Sequence, residues 1–317
     1  MGEENGRIKD ENIYTMVGLQ SFDSGIQANI PKYGSLSGDK IRNLTTQYRS
    51  IEAIGTIFSR FLYGDTLEHG RKNNIGGAPV ARALPAYFSQ MGFRPVTIVK
   101  YPVNREDAIY SPHKLNESPF HLYSALLINE LIFRFRREAV APWNVGILSP
   151  YKAQANLINK LLEAHSDKSK LDILTDTVHG FQGGEREIVF ALFNPSSLRA
   201  SYSRFFQKEF IINVAVSRAR DYLVLLLPDL DEEMAKLPLF HSAEFPGLMN
   251  IIDSLPADMV AHIDARDLEA KLMGSKTYFQ ENSFTNVHQN INVYGDSYKD
   301  YIIRHSSSSL DLQIKKI

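Results

Sequence analysis

Val145-Gly146-Ile147-Leu148-Ser149-Pro150 decides the fold: a short apolar run stopped by serine and proline. Straight after it, Lys152 to Glu163 carries Leu157, Ile158, Leu161 and Leu162 at helical spacing. An apolar strand feeding an amphipathic helix is one half of a crossover unit. The texture then recurs. Asp172 to Thr175 is a short strand, Ile188 to Phe193 is closed by Asn194-Pro195, and Tyr222 to Leu227 is closed by Pro228-Asp229. Strands apolar on both faces belong to a parallel sheet covered by helices on both sides. The fold class is therefore α/β.

Upstream, Val96 to Tyr101 reads as a strand and Leu122 to Arg137 as a helix, with arginines in its last turn where the dipole favours them. Ile51, Ile54, Ile57, Phe58, Phe61 and Leu62 give a helical period that Gly64-Asp65 breaks. Residues 69–95, rich in Gly, Asn, Pro and Ala, read as a loop or insertion. Residues 1–40 read as a loosely packed lead-in, 41–230 as the α/β unit, and 231–317 as an α+β extension. In that extension 231–273 is expected to be mainly helical. Residues 289–316 are expected to be extended, with turns at Gly295-Asp296 and Ser306 to Ser309.

Composition narrows the function. The chain has 317 residues, 44% hydrophobic and 22% charged, with a net charge of -1. Wholesale disorder does not fit, and no global basic field exists, so any nucleic-acid contact must come from local clusters or the backbone. The absence of cysteine excludes disulfides, thiol catalysis and cysteine-ligated clusters. It suits a reducing cytoplasm, the expected location. Nine histidines show no HxxxH or HExxH spacing, so no protein-held metal is expected. The polar start MGEENGRIKDEN lacks a signal peptide's apolar core, and the apolar runs fall far short of the ~20 residues of a membrane span.

Three stretches could carry chemistry. Leu44-Thr45-Thr46-Gln47-Tyr48-Arg49-Ser50 sets a stacking ring beside a permanent cation just before a helix; an incidental arginine at a solvated helix start would look the same. Thr177-Val178-His179-Gly180-Phe181-Gln182-Gly183-Gly184-Glu185 offers glycines for close backbone approach and polar groups for phosphate, ribose or base. A plain glycine turn before a strand would read alike. Ile212 to Asp221 reads as a short apolar helix ending in Arg218 and Arg220. On a helix these two diverge by roughly 200°, so one would reach a phosphate while the other pairs with Asp221 or another carboxylate.

Their order is more telling than any one of them. With Ser149-Pro150-Tyr151-Lys152-Ala153-Gln154 they resemble the QYR, SPYxxQ, TVxxFQGxE and NVAxSRAR segments of superfamily 1 helicases, in the branch that includes the nonsense-decay helicase. The resemblance covers the second RecA-like half. It implies a RecA-like parallel sheet in which Arg49 meets the γ-phosphate and Arg218 is the arginine finger. It further implies that Gln47, Tyr48, Gln182, Gly183 and Glu185 face the nucleotide, and that Ser149, Tyr151, Gln154, Thr177 and His179 lie along single-stranded DNA or RNA.

That family also needs a first half with GxxxxGK[ST] and an acidic Walker B strand end, which hold ATP and Mg²⁺. Neither occurs here. Gly274-Ser275-Lys276-Thr277 fails the spacing and lies on the wrong side of the arginine motif. Asp229-Leu230-Asp231-Glu232-Glu233 reads as an acidic helix start, and Gly38-Asp39 lacks the glutamine of the family's third motif. The expectation is a piece or truncated frame of a helicase, inactive alone, with the Walker-containing half in cis or in trans. A non-catalytic nucleic-acid- or protein-binding module derived from a helicase domain is the alternative.

Overall fold

The computed structural model describes residues 45–104, 110–115, 117–163, 170–181, 184–198, 205, 207–234, 236–237, 239–240, 247–273, 301–305 and 312–316. The chain divides into two units, Met1–Thr46 and Gln47–Ile317, and the fold is that of the second. In chain order it contains α1 (Glu52–Leu62), α2 (Ala86–Gln90), β1 (Val96–Tyr101), a hairpin of β2 (Pro112–Leu115) and β3 (Ser118–His121), and α3 (Leu122–Glu138). Then come β4 (Trp143–Ser149), α4 (Lys152–Glu163), β5 (Leu171–Thr177), β6 (Arg186–Leu192), α5 (Glu209–Val216) and β7 (Ala219–Pro228). They are followed by α6 (Leu248–Asp253), β8 (Val260–Asp264) and α7 (Ala265–Met273). Two further strands, β9 (Tyr301–His305) and β10 (Leu312–Lys316), pair antiparallel with Tyr301 opposite Lys316. The lead-in and Gly274 to Thr277 lie outside the described residues.

Six strands form one parallel sheet in the order β8-β1-β7-β6-β4-β5. β6 shows why its strands read as unbroken apolar runs. Ile188, Phe190 and Leu192 point to a layer built by α2, α3, α4 and α7, while Val189 and Ala191 point to a layer built by α1, α5 and α6. Each layer buries its own core, so every position of a central strand must be apolar. Helices on both faces of a parallel sheet in this crossed order make the RecA-like fold that the motifs implied.

The sheet runs past residue 230. Val260–Asp264, expected within a helical stretch, is instead the sixth strand, with Val260 opposite Val96 and Asp264 opposite Lys100. A five-residue segment is too short for periodicity to separate helix from strand. Here the free edge of β1 decides, because it satisfies the segment's backbone groups. Asp231–Met234 does form a short helix, as its acidic start suggested. Among the described residues no helix is long and apolar enough to cross a membrane.

α3 begins on an unusual cap. Ser124 N–H donates to His121 Nδ1 at 3.3 Å, while His121 Nε2–H donates to the Tyr110 carbonyl at 2.9 Å. These partners require the neutral ring. His121 is fully buried, and that burial, only partly offset by the Tyr110 carbonyl, lowers its pKa to about 3. Since the folded value lies below the unfolded one of about 6.5, the contribution is complete above that pH and is lost as pH falls toward about 3. We expect wild-type protein to lose about 2 kcal/mol more than His121→Asn between pH 6.5 and 5. Urea midpoints at the two pH values measure this, and equal losses would refute it.

Candidate nucleotide and nucleic-acid site

The site starts from a turn that closes on itself. Ser50 N–H donates to Gln47 Oε1 at 3.0 Å, and Gln47 Nε2 donates to the Ser50 carbonyl at 2.9 Å. Gln47 Nε2 also meets His69 Nδ1 at 3.1 Å. This approach exists because residue 55 of α1 is glycine: a Cβ there would lie 2.5 Å from both atoms. The turn docks on the start of β7 through Ser50 Oγ–H to the Ala219 carbonyl (2.5 Å) and Ile51 N–H to the Arg220 carbonyl (2.9 Å). Gln47 is thus a brace for the turn. Tyr48 is 72% exposed, its ring lying over Gly70, where any side chain would collide with it.

So placed, Arg49 reaches across 136 positions of sequence: its Nε donates to Glu185 Oε2 at 3.0 Å, and its Nη1 to the Ser217 carbonyl at 3.2 Å. α5 ends at Val216, so Arg218 stands in a turn and Arg220 in β7. The helical divergence expected for these two does not apply, and both face the same stretch. Arg218 Nη1 donates to the Gly184 carbonyl at 3.4 Å, and Arg220 Nη1 lies 3.8 Å from Glu185 Oε1. Arg220 therefore pairs with Glu185, while Asp221 pairs with Arg71. Burial, and then the nearby Arg49 guanidinium, draw the Arg218 pKa below its ordinary value. Its Nε is buried without a hydrogen-bond partner. Three arginines around one half-exposed carboxylate form a local excess of positive charge, and one of them holds an unused donor. An added anion would relieve the excess charge. Gln182 and Gly183 lie outside the described residues.

The residues expected along nucleic acid sit at the opposite end of the sheet, and two of them are corrected. Ser149 is fully buried: its Oγ donates to Asn194 Oδ1 at 3.2 Å and accepts from Tyr151 N–H at 3.2 Å. Gln154 is fully buried as well. Its Oε1 accepts from His121 N–H at 2.6 Å, and its Nε2 donates to the His121 carbonyl at 3.3 Å, which ties α4 to the start of α3. Neither can touch a strand. Tyr151 is half-buried beside Phe205, Thr177 Oγ1 accepts from Gly180 N–H at 3.1 Å, and His179 is exposed.

The two ends are joined by one short segment. Ser149 pairs with Thr177, and Val145 with Ile188, so Thr177 and Arg186 stand about six strand residues apart in height. At roughly 3.3 Å per residue that is about 20 Å. Phe181 anchors the passage, buried on the sheet face over Gly146, where a Cβ would lie 2.9 Å from its ring. Gly180 serves packing, leaving room for the Asp176 carboxylate.

Sequence reasoning missed Arg71, placed in a presumed insertion. Its Nη1 donates to the carbonyls of Arg49 (2.8 Å) and Arg220 (3.2 Å), and its Nη2 to Asp221 Oδ1 (2.5 Å). It missed Asn73 too, whose Oδ1 accepts from Ala53 N–H at 2.8 Å and caps α1 from a distance. No periodic pattern marks either one.

A six-stranded parallel sheet with helices on both faces and an arginine cluster at one end defines a RecA-like α/β module. Comparison with known proteins agrees: the AAA_12 family (AAA domain) matches residues 29–227, and the chain belongs to it. Its relatives are superfamily 1 helicases, and the matching region is their C-terminal helicase domain. They include the DNA replication ATP-dependent helicase/nuclease dna2 of Schizosaccharomyces pombe, 27% identical over 57% of this chain and 13% of that protein. The DNA polymerase alpha-associated DNA helicase A of Saccharomyces cerevisiae is 32% identical over 32% of this chain and 14% of that protein. The human probable helicase senataxin is 25% identical over 62% and 7%. The chain thus spans a small part of the length of these relatives. The solved C-terminal domain of a possible DNA helicase from a Lactobacillus overlies 68% of this chain and 98% of that one, at 12% identity and a TM-score of 0.34.

Gly146→Val should push Phe181 off the sheet and cost about 1–3 kcal/mol, as overpacking of a filled core does. A denaturation midpoint unchanged from wild type would show that Phe181 does not depend on that glycine.

Proposed function

We propose that this domain is the second RecA-like half of an ATP-dependent motor acting on single-stranded DNA or RNA. The convergence of Arg49, Arg218 and Arg220 on Glu185 carries this reading. Arg49 and Arg218 serve the γ-phosphate, Tyr48 offers its exposed face to the base, and Glu185 turns from Arg49 to the ribose when nucleotide arrives. Swapping a partly solvated ion pair for phosphate contacts costs little, because such a pair contributes about 1 kcal/mol or less. Charge developing on the transferred phosphoryl group would then meet two guanidinium groups already fixed by backbone contacts, and a finger of this kind is worth about 10³–10⁵ in rate.

ATP and Mg²⁺ would be cradled by the Walker-containing half. The 317 residues contain no GxxxxGK[ST], and the described residues hold no cluster of metal-ligating side chains. Tyr151, Thr177 and His179 would line the nucleic-acid track, with contacts chiefly to the backbone. Phe181, packed over Gly146 and lying between Thr177 and Glu185 in the chain, would tie movement at the phosphates to the strand.

The chain alone should hydrolyse ATP no faster than a buffer control, with or without single-stranded DNA. Joined to a Walker-containing half it should turn over, and Arg218→Ala should then lower kcat at least 10³-fold with the fold retained by circular dichroism. Family-typical turnover by the isolated chain, or an Arg218→Ala complex of full activity, would overturn the reading.

A further inference from the structure

Two of the three acceptors of Arg71 are the backbone carbonyls of Arg49 and Arg220, the residues whose side chains gather on Glu185. The third, Asp221, is 6% exposed at its side chain, against 19% for Arg71. The residue before Arg71 holds the same turn by other means. Gly70 N–H donates to the Gln47 carbonyl at 2.9 Å, and its bare α-carbon supports the Tyr48 ring. We infer that Gly70-Arg71 is the template on which the nucleotide-facing Tyr48 and Arg49 are set, and that Arg71 is a positioning residue for the phosphate arginine. The inference rests on the reading of Arg49 given above.

The chemistry favours this over an ordinary ion pair. A salt bridge at this depth is weak evidence for stability, since desolvation offsets most of its attraction. What Arg71 supplies is a planar fork that addresses three acceptors at once, which an ammonium cannot copy. It clamps the peptide planes after residues 49 and 220. Arg49 then extends from a fixed backbone, and a misplacement near 1 Å at a reacting centre costs on the order of 10²-fold.

The test uses the full 317-residue chain with ¹⁵N-arginine, the Arg49 Nε–H signal being assigned by its loss in Arg49→Lys. In Arg71→Gln that hydrogen should exchange with solvent about tenfold faster while the amides of β4 and β6 keep their protection. Arg71→Lys should also exchange faster, because it retains the charge opposite Asp221 and loses the fork. Wild-type exchange in Arg71→Lys would mean that charge alone matters and would overturn the proposal, as would unchanged exchange in Arg71→Gln. Should Arg71→Gln fail to fold, Arg71→Lys and Asp221→Asn carry the test, the latter with an intermediate increase. Titration with ATP separates the two readings. Wild type should show millimolar shifts at Arg49 and Arg218, weakened at least threefold by Arg71→Gln. If Arg49 ignores ATP while the exchange results hold, its phosphate role falls and the positioning stands.

Discussion

The site depends on a backbone seam. Ser50 Oγ–H and Ile51 N–H donate to the carbonyls of Ala219 and Arg220, and those bonds hold a turn from the start of the described chain against the first residues of β7. Without the seam, Arg49 would extend from a loose segment and its reach to Glu185 would be a matter of chance. With it, Arg49 joins Arg218 and Arg220 from a distant part of the sequence at one corner, the N-terminal ends of β6 and β7. Like charges repel, so the corner holds together only because backbone bonds and one carboxylate fix them. A site held by such bonds keeps its geometry when the carboxylate turns to another partner.

The strands were legible because each central one is buried on both faces, so nothing polar interrupts Ile188 to Leu192 or Leu223 to Leu227. β8 was not, because five residues at an edge carry too little pattern and its identity comes from the neighbour it pairs with. In the site, motif order gave the corner of arginines, while two polar residues misled. Ser149 and Gln154 look like surface groups, yet each finds its partners inside: Asn194 at the end of β6 and the backbone of His121. A polar side chain at a strand end can cap its neighbours as readily as it can face solvent. Arg71 stayed invisible for a related reason: its acceptors lie 22 and about 150 positions away, and no local pattern encodes them.

The position of the two candidate surfaces fixes what the domain can transmit. Thr177 and His179 stand at one end of the sheet and Glu185 at the other, about 20 Å apart in strand height. Phe181 N–H donates to the Thr177 carbonyl at 3.0 Å, so the chain leaves β5 in a tight turn. Phe181 closes that turn, seated over Gly146. Moving the turn at Thr177 independently of the sheet would pull that ring from its core, at a cost of about 3 kcal/mol by the scale of such side chains, so the turn is held to the sheet as firmly as the ring is.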